Sequence, residues 1–165
     1  MFNTLVKDLI FIVRKMANVL LIGSSNLEVE KVKRQFLKNK IVHVIHVASD
    51  GLEALSKLKG INGFKKIEPP PYLILFNINQ SEMELLSFIN LLRLDDLLDK
   101  LKIFVMIDSG YTRIRVKELD VKICGCIIKP LSFKFNKFFV KPSSIDNFGL
   151  FVELIRSQSN IQESK

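Results

Sequence analysis

Five short stretches of almost unbroken apolar residues punctuate the chain: NVLLI at 18–22, IVHVIHV at 41–47, YLILF at 72–76, IFVMI at 103–107 and CII at 126–128. A strand with one wet face alternates apolar and polar residues, whereas a strand that is apolar throughout must be covered on both sides. Between these stretches apolar residues recur at helical spacing: Val29, Val32, Phe36 and Leu37 within 27–38, Leu52, Leu55 and Leu58 within 52–59, and Leu85, Leu86, Ile89 and Leu92 within 83–94. Residues 112–119 and 145–157 read as two further helices, the last through Phe148, Phe151, Leu154 and Ile155. Strand and helix thus alternate five times. That pattern predicts an α/β fold, a doubly wound five-stranded parallel sheet in the order 2-1-3-4-5 with helices on both faces.

The punctuation agrees. Gly23-Ser24-Ser25-Asn26 stops the first strand, and Ser49-Asp50-Gly51 stops the second. Asp50 followed by Glu53 is a capping-box arrangement for the second helix. Residues 60–72, GINGFKKIEPPPY, hold two glycines and three consecutive prolines, so they read as an extended surface loop. A chain of 165 residues with 48% hydrophobic and 25% charged residues fits one folded domain with its own core. The domain is expected over 17–158, with an N-terminal extension at 1–16, a tail at 159–165 and an insertion at 132–143 that forms an extra strand or helix. The extension, MFNTLVKDLIFIVRKM, has an apolar run too short for a membrane span and the character of a short amphipathic helix. Met16 is an alternative start to Met1. Cys124 and Cys126, one residue apart in an apolar segment, read as reduced buried residues, and the default location is cytoplasmic.

Ligands of doubly wound sheets bind at the carboxyl ends of the strands, so those ends carry the functional question. No strand is followed by GxGxxG or by a P-loop, which leaves no support for a dinucleotide or nucleoside triphosphate. The third strand ends LILFNIN, with Asn77 where an ionisable group is expected. His43 and His46, three apart on a strand, face opposite sides and cannot share one metal ion. The net charge of +8 favours anionic partners, but the lysines are scattered. Phe133, Phe135, Phe138 and Phe139 beside Lys134, Lys137 and Lys141 read as core and dimer-surface residues more readily than as a nucleic-acid stacking platform. No nucleic-acid partner is expected.

VLLIGSSN at 19–26, ASDGLEAL at 48–55, the proline-bearing loop before LILFNIN, and IIKP at 127–130 together resemble the receiver domain of two-component response regulators. The likeness is to the single-domain branch of that CheY-like superfamily, and it spans residues 18–157. The intervals from Asn77 to Ile107 and from Ile107 to Lys129 suit the family's spacing. The resemblance implies a phosphoacceptor carboxylate at position 77, two Mg²⁺-binding acids at positions 23 and 24, and a metal contact from the backbone carbonyl of Asn79. It further implies a switch hydroxyl at position 107, an aromatic switch residue at 126 and a lysine at 129. The chain has Asn77, Gly23, Ser24, Ile107 and Cys126 there, and retains Lys129. An amide, its lone pair delocalised, is inert as the nucleophile, and a hard divalent ion needs oxygen ligands with negative charge. The expectation is a degenerate receiver with no cofactor and weak or absent Mg²⁺ binding. Asp108 is a candidate compensating acid that either pairs with Lys129 or caps the following helix. FFVKPSSIDNF at 138–148 offers Lys141 as a second candidate for the fifth-strand lysine, although spacing favours Lys129.

The function implied is that of a stand-alone pseudo-receiver in phosphorelay signalling, acting through protein contacts and not as an enzyme. Its implied partners are a histidine kinase, another receiver or a downstream target. The implied homodimer surface is the face formed by the fourth helix, fifth strand and fifth helix. Two alternatives stay open: a small α/β enzyme using Ser24, Ser25, Asn77, Asp108 and Lys129, and a basic adaptor for nucleic acid or membrane.

Overall fold

The computed structural model describes residues 3–7, 17–38, 43–71, 73–78, 82–107, 123, 125–128 and 138–140, with backbone alone at 17, 43, 82, 125–128 and 138–140. Its elements are β1 (Ala17–Ile22), α1 (Asn26–Lys38), β2 (His43–Ala48), α2 (Gly51–Lys59), β3 (Leu73–Asn77), α3 (Glu82–Arg93), β4 (Lys102–Ile107), β5 (Gly125–Ile128) and β6 (Phe138–Val140). Residues 3–7 form a separate helical segment. The sheet order is β2-β1-β3-β4-β5-β6. The first five strands pair in parallel, as the apolar runs predict.

The sixth strand is the addition. Phe138–Val140, inside the segment 132–143, pairs antiparallel with β5. This also places the two KP-bearing segments: Gly125–Ile128, which precedes Lys129, holds the fifth parallel position beside β4, and the segment before Lys141 lies outside it. The helices expected at 112–119 and 145–157, together with Asn79, Asp108, Cys124, Lys129 and Lys141, lie outside the described residues.

The pleat divides the core. Leu20 and Ile22 of β1, Ile74 and Phe76 of β3, and Ile103, Val105 and Ile107 of β4 share one face, packed with Ala54, Leu55 and Leu58 of α2 and Leu85, Phe88, Ile89 and Leu92 of α3. The alternate residues Val19, Leu21, Leu73, Leu75, Phe104 and Met106 are equally buried on the opposite face, where α1 buries Val29, Val32 and Phe36. Double coverage is what makes each strand read as a continuous apolar run. Burying side chains of this size stabilises by about 1.5–3 kcal/mol each before chain entropy is counted.

Three expectations shift. Leu37 and Leu52 are exposed, because the buried stripe of α1 closes on Phe36 and that of α2 runs through Gly51, Ala54, Leu55 and Leu58. Each leucine sits one position off its stripe, about 100° round the helix. Residues 60–71 do not simply extend over the surface. Ile67 and Pro71 are buried, Ile67 N–H donates to the Lys57 carbonyl at 2.9 Å, and Asn62 Nδ2 donates to Ser56 Oγ at 3.0 Å. The turn into this loop uses Gly60 in the left-handed region (φ 69°), where a Cβ would lie 2.7 Å from that of Lys66.

Candidate functional site

The strand ends meet where a doubly wound sheet places its ligands. The turn after β1 is pinned to β2 by Gly23 N–H donating to the Ala48 carbonyl at 3.0 Å, and the chain leaving β3 is pinned to β4 by Ile78 N–H donating to the Met106 carbonyl at 3.0 Å. Between them sits Asn77, 4% exposed at the end of β3. Gly23 turns with φ +76°, and a Cβ on it would stand 3.2 Å from the Asn77 carbonyl oxygen. Only a glycine takes both the left-handed backbone and that close approach without strain.

The Asn77 side chain is tied on one side and bare on the other. Its Nδ2 donates to the Gly23 carbonyl at 3.3 Å and to Glu28 Oε2 at 3.1 Å. Its Oδ1 is buried without a hydrogen-bond partner, and so is Ser24 Oγ close by in sequence. Turning the amide over would set its oxygen against the Gly23 carbonyl and the Glu28 carboxylate, so the two acceptors dictate its orientation.

Glu28 is the residue that the strand-end reading missed. It lies in the first turn of α1, where its Oε2 also accepts from Ser25 N–H at 2.8 Å while Ser25 Oγ accepts from Glu28 N–H at 3.3 Å. Ser25-Asn26-Leu27-Glu28 is therefore a reciprocal capping box. The signal was present as S-x-x-E, but a capping box describes a helix start and does not announce that the carboxylate reaches a strand 49 residues away in the chain. The equivalent device after β2 matches the sequence reading: Asp50 Oδ1 caps Glu53 N–H at 2.8 Å, and the Glu53 carboxylate returns to Ser49.

Of the positions singled out by sequence, the structure brings Gly23, Ser24 and Asn77 together and puts Ile107, buried, at the end of β4. Cys126 lies within β5, level with Val105 of β4, two residues short of the ends of both strands. Among the described residues no base hydrogen-bonds Ser24 Oγ, and no group of three or more His, Cys, Asp or Glu side chains is arranged to hold a metal ion. No helix among them is long and apolar enough to cross a membrane.

No family model and no curated protein matches the sequence. The fold has clear relatives among solved structures. A two-component response regulator from Legionella pneumophila superposes with a TM-score of 0.63 at 25% identity, covering 87% of this chain and 98% of that one. A bacteriophytochrome response regulator gives 0.61 at 21% identity over 72% of each chain, and a response regulator in red-light signalling of R. palustris gives 0.59 at 20% over 86% and 90%. The fold is that of the CheY-like response-regulator receiver, a fold that supports two-component signalling. Receiver domains act through contacts with kinases and other proteins.

Proposed function

We propose that this protein is a pseudo-receiver: a signalling module of the two-component type that works by binding and does not carry a phosphoryl group on Asn77. The observation that supports this most directly is the Asn77 amide, buried at the strand end and engaged as a double donor to the Gly23 carbonyl and Glu28. A phosphoacceptor must offer an ionised oxygen there, and this side chain is a neutral amide whose nitrogen is spent on two acceptors and whose oxygen carries no charge to attack with.

The donor set fits a divalent ion poorly. Mg²⁺ demands an octahedral shell of oxygens anchored by carboxylates. Gly23 brings no side chain and Ser24 a neutral hydroxyl, and Glu28 Oε2 accepts from Ser25 N–H and Asn77 Nδ2. Without the cation, the charge of a transferring phosphoryl group lacks its main stabiliser, and the Glu28 carboxylate repels it. In place of phosphorylation, a protein partner selects the signalling state, drawn from kinases, other receivers or downstream targets.

Incubation with acetyl phosphate and Mg²⁺, read by intact mass, tests the reading. The expected result is an unchanged mass, and for Asn77→Asp as well, since Gly23 and Ser24 still supply no carboxylate. A gain of one phosphoryl group on the natural protein would overturn it.

A further inference from the structure

On the face of the sheet that carries α2 and α3, the two helices leave an apolar groove of about 420 Å³. Leu55 and Phe88 form its buried floor and Leu52 and Leu91 its walls, and Asp50 and Glu84 lie together at the end where α2 begins. The helices come this close because position 51 lacks a Cβ, which would stand 3.0 Å from that of Phe88, and because Glu84 Oε1 accepts from Gly51 N–H at 3.1 Å. The walls face solvent: Leu52 is 70% exposed and Leu91 44%. Met83 and Leu94, also exposed, continue the Leu91 side of α3. Large apolar side chains gathered in this way on a surface mark a contact site.

The same chain carries a matching element. Residues 3–7 are helical, and their apolar side chains Leu5 and Val6 are 63% and 40% exposed, with the cationic Lys7 next to them. The groove is acidic at that one end on a protein of net charge +8, so it favours an apolar occupant with a cation at one end. We propose that the α2–α3 groove receives the N-terminal helix of a second copy, Leu5 and Val6 entering between Leu52 and Leu91 and Lys7 meeting Asp50 or Glu84. Two copies exchanging helices in this way close a symmetric dimer with two identical contacts. The proposal is independent of the reading of Asn77.

The test is sedimentation velocity on the full chain over about 1–100 µM. A concentration-dependent dimer is expected, with a dissociation constant raised about tenfold or more by Leu5→Asp or by Leu52→Asp. Leu37→Asp, an exposed leucine on α1, should leave it unchanged. Leu91→Asp serves as a second groove variant, and circular dichroism checks that each variant is folded. Mixing the Leu5→Asp and Leu52→Asp proteins leaves one intact helix–groove contact per pair, so the mixture should dimerise more tightly than either variant alone. A protein that stays monomeric throughout would overturn the proposal. So would a dimer indifferent to both substitutions, which would use another face, or a mixture no tighter than its components.

Discussion

The turns after β1 and β2 are built alike and end differently. Both pass from a buried parallel strand into a helix whose third residue is a glutamate folded back on the turn: Glu28 on Ser25, Glu53 on Ser49. After β2 the device stays local, because Glu53 finds Lys57 one turn along the same helix at 2.6 Å. After β1 the carboxylate accepts from Asn77 on a different strand, under a turn that only a glycine can make. One local motif thus serves as a helix start in one place and as part of a buried site in the other. The difference comes from the neighbour, not the motif.

The largest effect should come from putting a second carboxylate beside Glu28. Asn77→Asp would lose the two donations from Nδ2 and place like charges in a buried pocket, so the new side chain is expected to take up a proton. Holding it protonated at pH 7 costs up to about 4 kcal/mol, given an ordinary carboxyl pKa near ~3.9 and ~1.4 kcal/mol per unit. A raised folded-state pKa means the loss grows as pH rises from about 4. Urea unfolding of the variant should therefore show a deficit that shrinks on acidification and is relieved by adding Glu28→Gln. A pH-independent deficit would mean that the two side chains do not share the pocket.

Glu28→Ala set against Glu53→Ala sharpens the contrast directly. Removing Glu28 leaves the buried Asn77 Nδ2 with the Gly23 carbonyl alone among its two acceptors, at an expected cost of about 1–3 kcal/mol in denaturant unfolding. Removing Glu53 from its surface ion pair should cost less than about 1 kcal/mol. Equal losses would reduce Glu28 to an ordinary cap. Next in size, Gly23→Ala forces a side chain into the left-handed region against the Asn77 carbonyl and should cost about 1–2 kcal/mol in thermal unfolding, whereas an alanine at Gly63, where a Cβ meets nothing within 4 Å, bears only the backbone part of that strain.

The smallest effect is in the pH profile. The hydrogen bond from Lys57, then that from Ser49, holds the Glu53 pKa at about 2 instead of 4.5. A depressed carboxyl pKa contributes stability that is fully present above 4.5 and is lost as pH falls towards 2, and screening at the surface keeps it under about 1 kcal/mol. Glu53→Gln should flatten that limb of the acid-unfolding curve. His46 acts in a separate window. Burial, then the Lys57 charge, pushes its pKa below 6.5, so its contribution declines as pH drops under 6.5, and His46→Gln should remove that part alone.

Much of the architecture was legible in the chain because two-sided burial writes itself as apolar runs. LLI in β1, LILF in β3 and IFVMI in β4 are buried along their whole length. Asp50 and Glu53 were legible for a related reason, since a cap is satisfied within four residues. Leu52 and Ile67 show the limit. Helical spacing pointed Leu52 inward, and glycine and proline put 60–72 on the surface. Leu52 is exposed, while 60–71 is exposed except at Ile67 and Pro71, which packing draws in. The antiparallel placement of Phe138–Val140 follows from pairing with β5, for which the sequence carries no marker.

By itself, then, the order of residues determined the alternation of strands and helices, the parallel sheet it implies, and the amide at the end of the third strand. Only the tertiary structure decided which groups that amide would meet. Periodicity and capping are short-range, satisfied within a turn or a pleat, and so they are written locally. The contact of Asn77 with Glu28 and Gly23 exists because β1 and β3 lie side by side, and that adjacency belongs to the folded sheet.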